Sequence, residues 1–357
     1  MKTCLVILDS YEYKRRELEF LTELNSIANV SFTYSKYENR LIEYFATIPC
    51  IGSFCQHIAY WLLSLWYAIK LCEHHNMYDV MVFINPIVGI FFSGLSRALR
   101  RKQNITIGGF LFEQKQSHIY FWLRKIIVNV CYKHVNKIFV YGESEINYYE
   151  SLFPKLSGKF HYVRYGRDFI YSNKQNFQYP RPYISSGGRS NRNYNTLAEA
   201  LEMLQEKSFN MDCLVATRPE CVTSIIKDSP MKILYGITLN QFGSFLEGSS
   251  IFVLPLKNIT LSAGHMAMLE AMSYGKPIIV TDIPAIRDYV SEKEVFFYDP
   301  DNSKDLADCI CFVWKNLSSP LVINRQKAAK ELYDKEYSFK ALLLRIVKIS
   351  VKNEAVY

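Results

Sequence analysis

Short apolar, β-branched runs alternate with amphipathic runs along almost the whole chain, in two series separated by one polar stretch. Such alternation builds parallel sheets, because a helical crossover must return each strand to the same end of the sheet. In the first series 4–8, 80–84, 105–107, 137–141 and 160–164 read as strands, and 12–24, 54–73, 86–101, 117–134 and 143–152 as helices. Residues 168–182 carry Asn and Gln and end in Pro-Arg-Pro, the composition of a linker. A second series follows, with strands at 183–185, 212–216, 232–235, 251–254, 278–281 and 295–298. Helices fall between them, as at 194–207 and 240–246, and the region from about 327 onward is helical. A chain of 357 residues exceeds one typical domain and suits two. The expectation is an α/β protein with a first domain over 1–178, a second over 179–335 and a terminal helical segment over 336–357.

Residues 258–289 carry the densest chemical signal. Ser262, Ala263 and Gly264 sit where the backbone must turn closely, and Gly264 can take angles other residues avoid. A helix follows, with Met266, Leu269 and Met272 at helical spacing for the core and Glu270 among them. Gly275-Lys276-Pro277 stops it, and Ile278 opens a β-branched run suited to a parallel strand. The start of such a helix offers N–H groups to an anion, typically phosphate. A carboxylate on a largely apolar helix needs a partner, and sugar hydroxyls are one.

The second constellation spans 182–197. A strand runs into Ser-Ser-Gly-Gly, then Arg189 and Arg192, then a helix beginning near Asn193. Gly187 and Gly188 permit close backbone approach to a ligand. Arg189 and Arg192 suit a diphosphate, which guanidinium binds in a bidentate fork.

Together these segments resemble the donor-sugar motif of retaining glycosyltransferases with the GT-B fold, family 4, the group 1 glycosyltransferases of polysaccharide biosynthesis. That resemblance implies two Rossmann-like α/β/α domains facing a cleft, with a C-terminal helix crossing back to the first domain. It implies that Glu270 binds the nucleotide ribose and that Arg189 neutralises the donor diphosphate, with Arg192 in place of the family's lysine. Ser262, Ala263, Gly264, His265 and Met266 would line the donor sugar and diphosphate, His265 through its backbone N–H. The family's first glutamate falls on Ser262, so the chain departs from the pattern there. The family's glycine-rich loop after the first strand is replaced by Leu8-Asp9-Ser10-Tyr11. The place of its later histidine, 107–113, holds Gly108, Gly109 and Glu113 but no histidine. The implied donor is a UDP- or GDP-sugar, with no cofactor and no metal: Asp299-Pro-Asp301 reads as a surface turn.

Charge bears on the acceptor. Residues 1–178 hold 21 Lys+Arg against 14 Asp+Glu, and the remainder 21 against 20, so nearly all of the net +8 lies in the first half. Arg97, Arg100, Arg101 and Lys102 form one basic cluster, with Arg124, Lys125 and Lys133 nearby. Such patches attract anionic surfaces, and the amphipathic run at 117–134 suits a membrane-facing helix. With no nucleic-acid motif beside the charge, nucleic acid is excluded as a partner. The expected acceptor is a glycan or lipid-linked oligosaccharide. No apolar run reaches the length that spans a bilayer, and the start of the chain does not read as a signal peptide. The nine cysteines form no CxxC pair. A cytoplasmic protein, peripheral at the inner face of the cell membrane, fits these features. Two rival functions remain: a catalytically silent sugar-nucleotide-binding or scaffold subunit, and a GT-B sugar-nucleotide epimerase.

Overall fold

The computed structural model describes residues 1–8, 11–35, 52–73, 77–100, 103–112, 118–169, 175–209 and 211–352. Asp9, Ser10, Cys50, Arg101, Lys102 and Glu113 lie outside them. The chain divides into two compact units, 1–163 with 343–357, and 164–342. Each unit is built on one six-stranded parallel sheet.

The first sheet has the order β2-β1-β3-β4-β5-β6, with β1 Thr3–Leu8, β2 Asn29–Tyr34, β3 Val80–Phe83, β4 Asn104–Ile107, β5 Lys137–Val140 and β6 Phe160–Tyr162. Strands β1, β3 and β5 are near-continuous buried apolar runs, as strands covered on both faces must be. The pattern missed β2, whose NVSFTY is largely polar; it is an edge strand with only Val30 buried. The last helix, Phe339–Val351, begins in the second unit and contributes Leu343, Ile346 and Val347 to the first, all fully buried. Lys137 closes its end by donating to the carbonyls of Ile349 (2.7 Å) and Lys352 (3.1 Å). A cation there satisfies carbonyls that have no partner within the helix.

The second sheet has the order β12-β11-β10-β7-β8-β9. Its strands are β7 Tyr183–Gly187, β8 Asp212–Ala216, β9 Met231–Leu234, β10 Ile251–Leu254, β11 Ile278–Thr281 and β12 Phe296–Tyr298. Helices Tyr194–Glu206 and Ser303–Lys315 pack on each other and bury Leu197, Leu201, Leu306 and Ile310 in one core with Val215, Val253 and Ile279. The penultimate helix begins at Pro320, seven residues before the periodicity suggests, with proline at its first turn and Ser319 capping it.

The division falls at Val163/Arg164 rather than at 178/179. The polar stretch is tied to the second unit: Phe177 and Tyr179 pack on Tyr183, and Asp168 accepts from the Phe339 amide (3.2 Å). At Gly166 a Cβ would press against the backbone carbonyls of Tyr337 and Ser338, so the chain crosses there only as glycine.

Candidate functional site

In the second sheet β7 leads to β8 on one side, while its other neighbour, β10, leads to β11 away from it. The loops leaving β7 and β10 therefore lead to opposite sides of the sheet, a switch point at the carboxyl ends of the strands, where open α/β sheets bind ligands. Both sequence constellations lie in these two loops.

After β7 the chain turns through Gly187 and Gly188. Gly187 lies on the Phe242 ring, and a Cβ there would stand 2.6 Å from it. Gly188 has φ +108, and a Cβ would stand 2.8 Å from Cζ of Arg192. The Gly188 carbonyl accepts from Tyr194 Oη (2.6 Å) and Thr217 Oγ1 (2.9 Å), while its amide donates to Ala216. Arg192 folds back under the loop, donating from Nε to the Gly187 carbonyl (2.9 Å) and from Nη1 to that of Ser190 (2.7 Å). Burial holds its guanidinium below the usual arginine value. Arg189, by contrast, is exposed. Asn193 caps the helix Tyr194–Glu206 by accepting from the Thr196 amide, and its Nδ2 donates to Asp301 (2.5 Å). Asp301 sits in an exposed turn at φ +58, so the acidic turn read from the sequence braces this cap.

The two loops are joined through their backbones. Asn193 donates to the Pro255 carbonyl and Lys257 to that of Asn191, with Arg192 bridged to Leu256 in antiparallel fashion. Leu256 donates in turn to Thr281 Oγ1 (2.8 Å), which donates to Tyr298 Oη (2.7 Å). The β10 loop then reaches Gly264 at φ +78, ψ −11, in the left-handed region. A Cβ there would stand 3.0 Å from both Leu254 and Leu256. Gly264, which has no side chain to cap with, stands at the N-cap of the helix His265–Ser273. The first-turn amides of an α-helix have no partner within the helix and are the kind of group that can receive an anion.

His265 is buried. Its Nε2 lies 2.8 Å from the Ala285 carbonyl, and its ring centroid is 4.1 Å from that of Tyr289. A carbonyl can only accept, so Nε2 carries the proton and neutral Nδ1 is an acceptor. Burial drops its pKa to about 4, the Ala285 bond opposing this and the nearby Arg192 charge adding to it. At neutral pH His265 offers a donor no positive charge. Glu270 is also buried, on the same helix. Its charge reaches Tyr333, whose phenol is pushed up chiefly by burial and then by Asp168.

The structure therefore brings Gly187, Gly188 and Arg192 together with Gly264 and His265 across two joined loops. Ser262 is half-buried and Ala263 buried in the β10 loop, while Arg189 is on the rim. Met266, read as core, is 43% exposed, while His265, Ala267 and Met268 of the same first turn are buried, so it lies on the helix face turned away from the core. Its neighbours Leu269 and Met272 are fully buried as expected. Sequence reasoning missed Thr217 and Tyr194, which fix the Gly188 carbonyl, and Tyr289, which packs on His265. Tyr194 had a signal, as the first residue of the helix after the loop. Thr217 and Tyr289 reach the site from distant segments that no local pattern marks.

Residues 181–316 match the family described as glycosyl transferases group 1. No curated protein matches the chain at the sequence level. Among solved structures the fold is similar to a glycosyltransferase from Rickettsia africae ESF-5, at 15% identity over 99% of each chain with a TM-score of 0.61. It is similar to sucrose-phosphate synthase from Thermosynechococcus elongatus, at 11% identity over 98% of each chain and a TM-score of 0.63. Anabaena HepE in complex with UDP covers 98% of each chain at 11% identity and a TM-score of 0.56. The chain has the GT-B fold, and its residues 181–316, which include both loops of this site, match the group 1 glycosyltransferases.

Proposed function

We propose that this chain transfers a sugar, with retention, from a nucleotide-sugar donor to a glycan or lipid-linked acceptor in surface-polysaccharide assembly. The observation that carries the reading is the joining of the loop after Gly187-Gly188 to the 255–257 segment, which leads to the start of the helix His265–Ser273. When the glycosidic bond to the diphosphate breaks, negative charge grows on the leaving group. Backbone N–H groups of that helix and the exposed Arg189 would stabilise it, because preorganised donors aimed at developing charge lower the barrier. Arg192 holds the loop in shape beneath them. Glu270 would hold the ribose, and Ser262 would face the sugar. A UDP donor is favoured by HepE, which has been solved with UDP and with UDP and glucose; a GDP-sugar remains the other candidate. Arginine and helix dipole fill the role a divalent cation fills elsewhere, so turnover should survive chelation with EDTA.

The test is thermal stability against a panel of UDP-, GDP-, dTDP-, ADP- and CMP-sugars, beside Glu270→Ala, followed by donor turnover. Selective stabilisation by one nucleotide class, lost in Glu270→Ala, is expected. No response to any donor would overturn the reading and favour a silent subunit. Binding without turnover onto any glycan or lipid-linked acceptor would favour a binding subunit. Conversion of the donor sugar without an acceptor would favour an epimerase.

A further inference from the structure

Three helices of the first unit form one layer: Gly52–Leu71, Pro86–Ala98 and His118–Cys131. They connect β2 to β3, β3 to β4 and β4 to β5, all stepping in the same direction across the sheet. Right-handed crossovers place such helices on one face. The middle helix packs on both others: Phe91 meets Trp61 edge-on with ring centroids 5.6 Å apart, and Arg97 donates to the Val130 carbonyl (2.7 Å). Its inner side is seated on the sheet through Gly89 and Phe92.

The two flanking helices expose apolar side chains where a surface helix should be polar. On the first helix Leu62 is 61% and Trp66 54% exposed, with Ile58 and Ile69 one turn either side. On the third helix Ile119 is 74% and Trp122 60% exposed, with Leu123, Ile126 and Val130 continuing the stripe. An exposed face of this kind marks an interaction site. None of the three helices contains an aspartate or glutamate. Lys70, Lys125 and Lys155 border the face: Lys70 lies 4.0 Å from the Trp66 ring, and Lys125 and Lys155 line a groove of about 560 Å³ with Trp122 and Ile126. A second copy of this face would bring these like charges together, whereas an anionic surface would neutralise them.

We propose that the outer face of this layer docks on an anionic lipid bilayer, with Trp66 and Trp122 at headgroup level and Lys70, Lys125 and Lys155 against lipid phosphates. Apolar side chains at the boundary, tryptophan at the headgroups and lysine at the rim are the chemistry of an interfacial helix. The docking does not rest on the donor site, and the vesicle test involves no nucleotide.

The experiment is co-sedimentation of the full chain with phosphatidylglycerol–phosphatidylcholine vesicles and with phosphatidylcholine vesicles alone. Expected is binding to the anionic vesicles only, released at about 0.5 M salt, where the screening length falls to roughly 4 Å. Tryptophan emission should shift to the blue on binding, and less so in Trp66→Phe with Trp122→Phe. The combined Lys70→Glu, Lys125→Glu and Lys155→Glu variant should lose about a hundredfold or more in affinity, since each basic residue at the surface contributes about fivefold. All substitutions are on exposed or rim positions, and an unchanged melting temperature confirms the fold. Binding indifferent to salt and lipid charge overturns the proposal, as does no binding by a folded protein. Concentration-dependent dimers lost in Trp122→Ser, without vesicle binding, would overturn it in favour of a second copy.

Discussion

His265 makes the stability of the second unit depend on pH. Its pKa is about 4 in the folded chain against an ordinary 6.5. The unfolded chain therefore binds the extra proton between those values, and stability falls as pH falls through that window. The contribution is complete above pH 6.5 and gone near pH 4, a loss of up to about 3 kcal/mol. Asp212 and Asp282 have carboxyls held below 3.8, so their losses come at lower pH. Urea midpoints measured from pH 7 to 4 should decline in the native chain and flatten in His265→Asn. Gly188 gives a second prediction. At φ +108, with Arg192 beneath it, an alanine meets both backbone strain and a clash. Gly188→Ala should cost about 1–3 kcal/mol in denaturant unfolding. Adding Arg192→Ala should recover the clash but not the strain, which a double-mutant cycle separates.

Among the elements, the joined loops carry the site, and Arg192 is their brace. A lysine ends in one compact ammonium and cannot span the Gly187 and Ser190 carbonyls as the guanidinium does. Arg192→Lys should therefore lower donor affinity about tenfold while shifting the melting temperature little, as read by titration with the donor that stabilises the native chain. The glycines, arginines and helix start of this site were legible because each is a local demand: a turn, a close approach, a terminus. The roles of the two arginines were not. Three positions apart in sequence and alike in chemistry, Arg189 is left on the rim while Arg192 is drawn under the loop. The Arg192 guanidinium meets the Gly187 and Ser190 carbonyls, while its backbone is bridged to Leu256, which lies far along the chain. Met266 was misread for a related reason: spacing groups residues on a helix face, but only the assembled fold decides whether another segment covers each of them.

For the whole molecule, the terminal helix makes the first unit depend on the end of the chain. Leu343, Ile346 and Val347 are fully buried in that unit. Each contributes about 1.5–3 kcal/mol by burial, and their sum rivals the roughly 5–15 kcal/mol that holds a domain together. Ending the chain at Leu342 should leave the first unit open to trypsin while the second resists, a difference visible in the order in which peptides appear. The sequence by itself determined the α/β class, two series of strands, the turns that need glycine and the helix start that suits phosphate. Those follow from local periodicity and backbone sterics, which neighbouring residues impose on one another. Tertiary structure decided the strand order, the edge strand β2, the division at Val163, and which polar groups meet across the two loops. The sequence marked 117–134 as amphipathic, but the exposed apolar stripe of the helix Gly52–Leu71 emerged only there. These depend on contacts between residues distant along the chain, where hydrophobic burial is satisfied by any partner of suitable shape and only the assembled fold selects one.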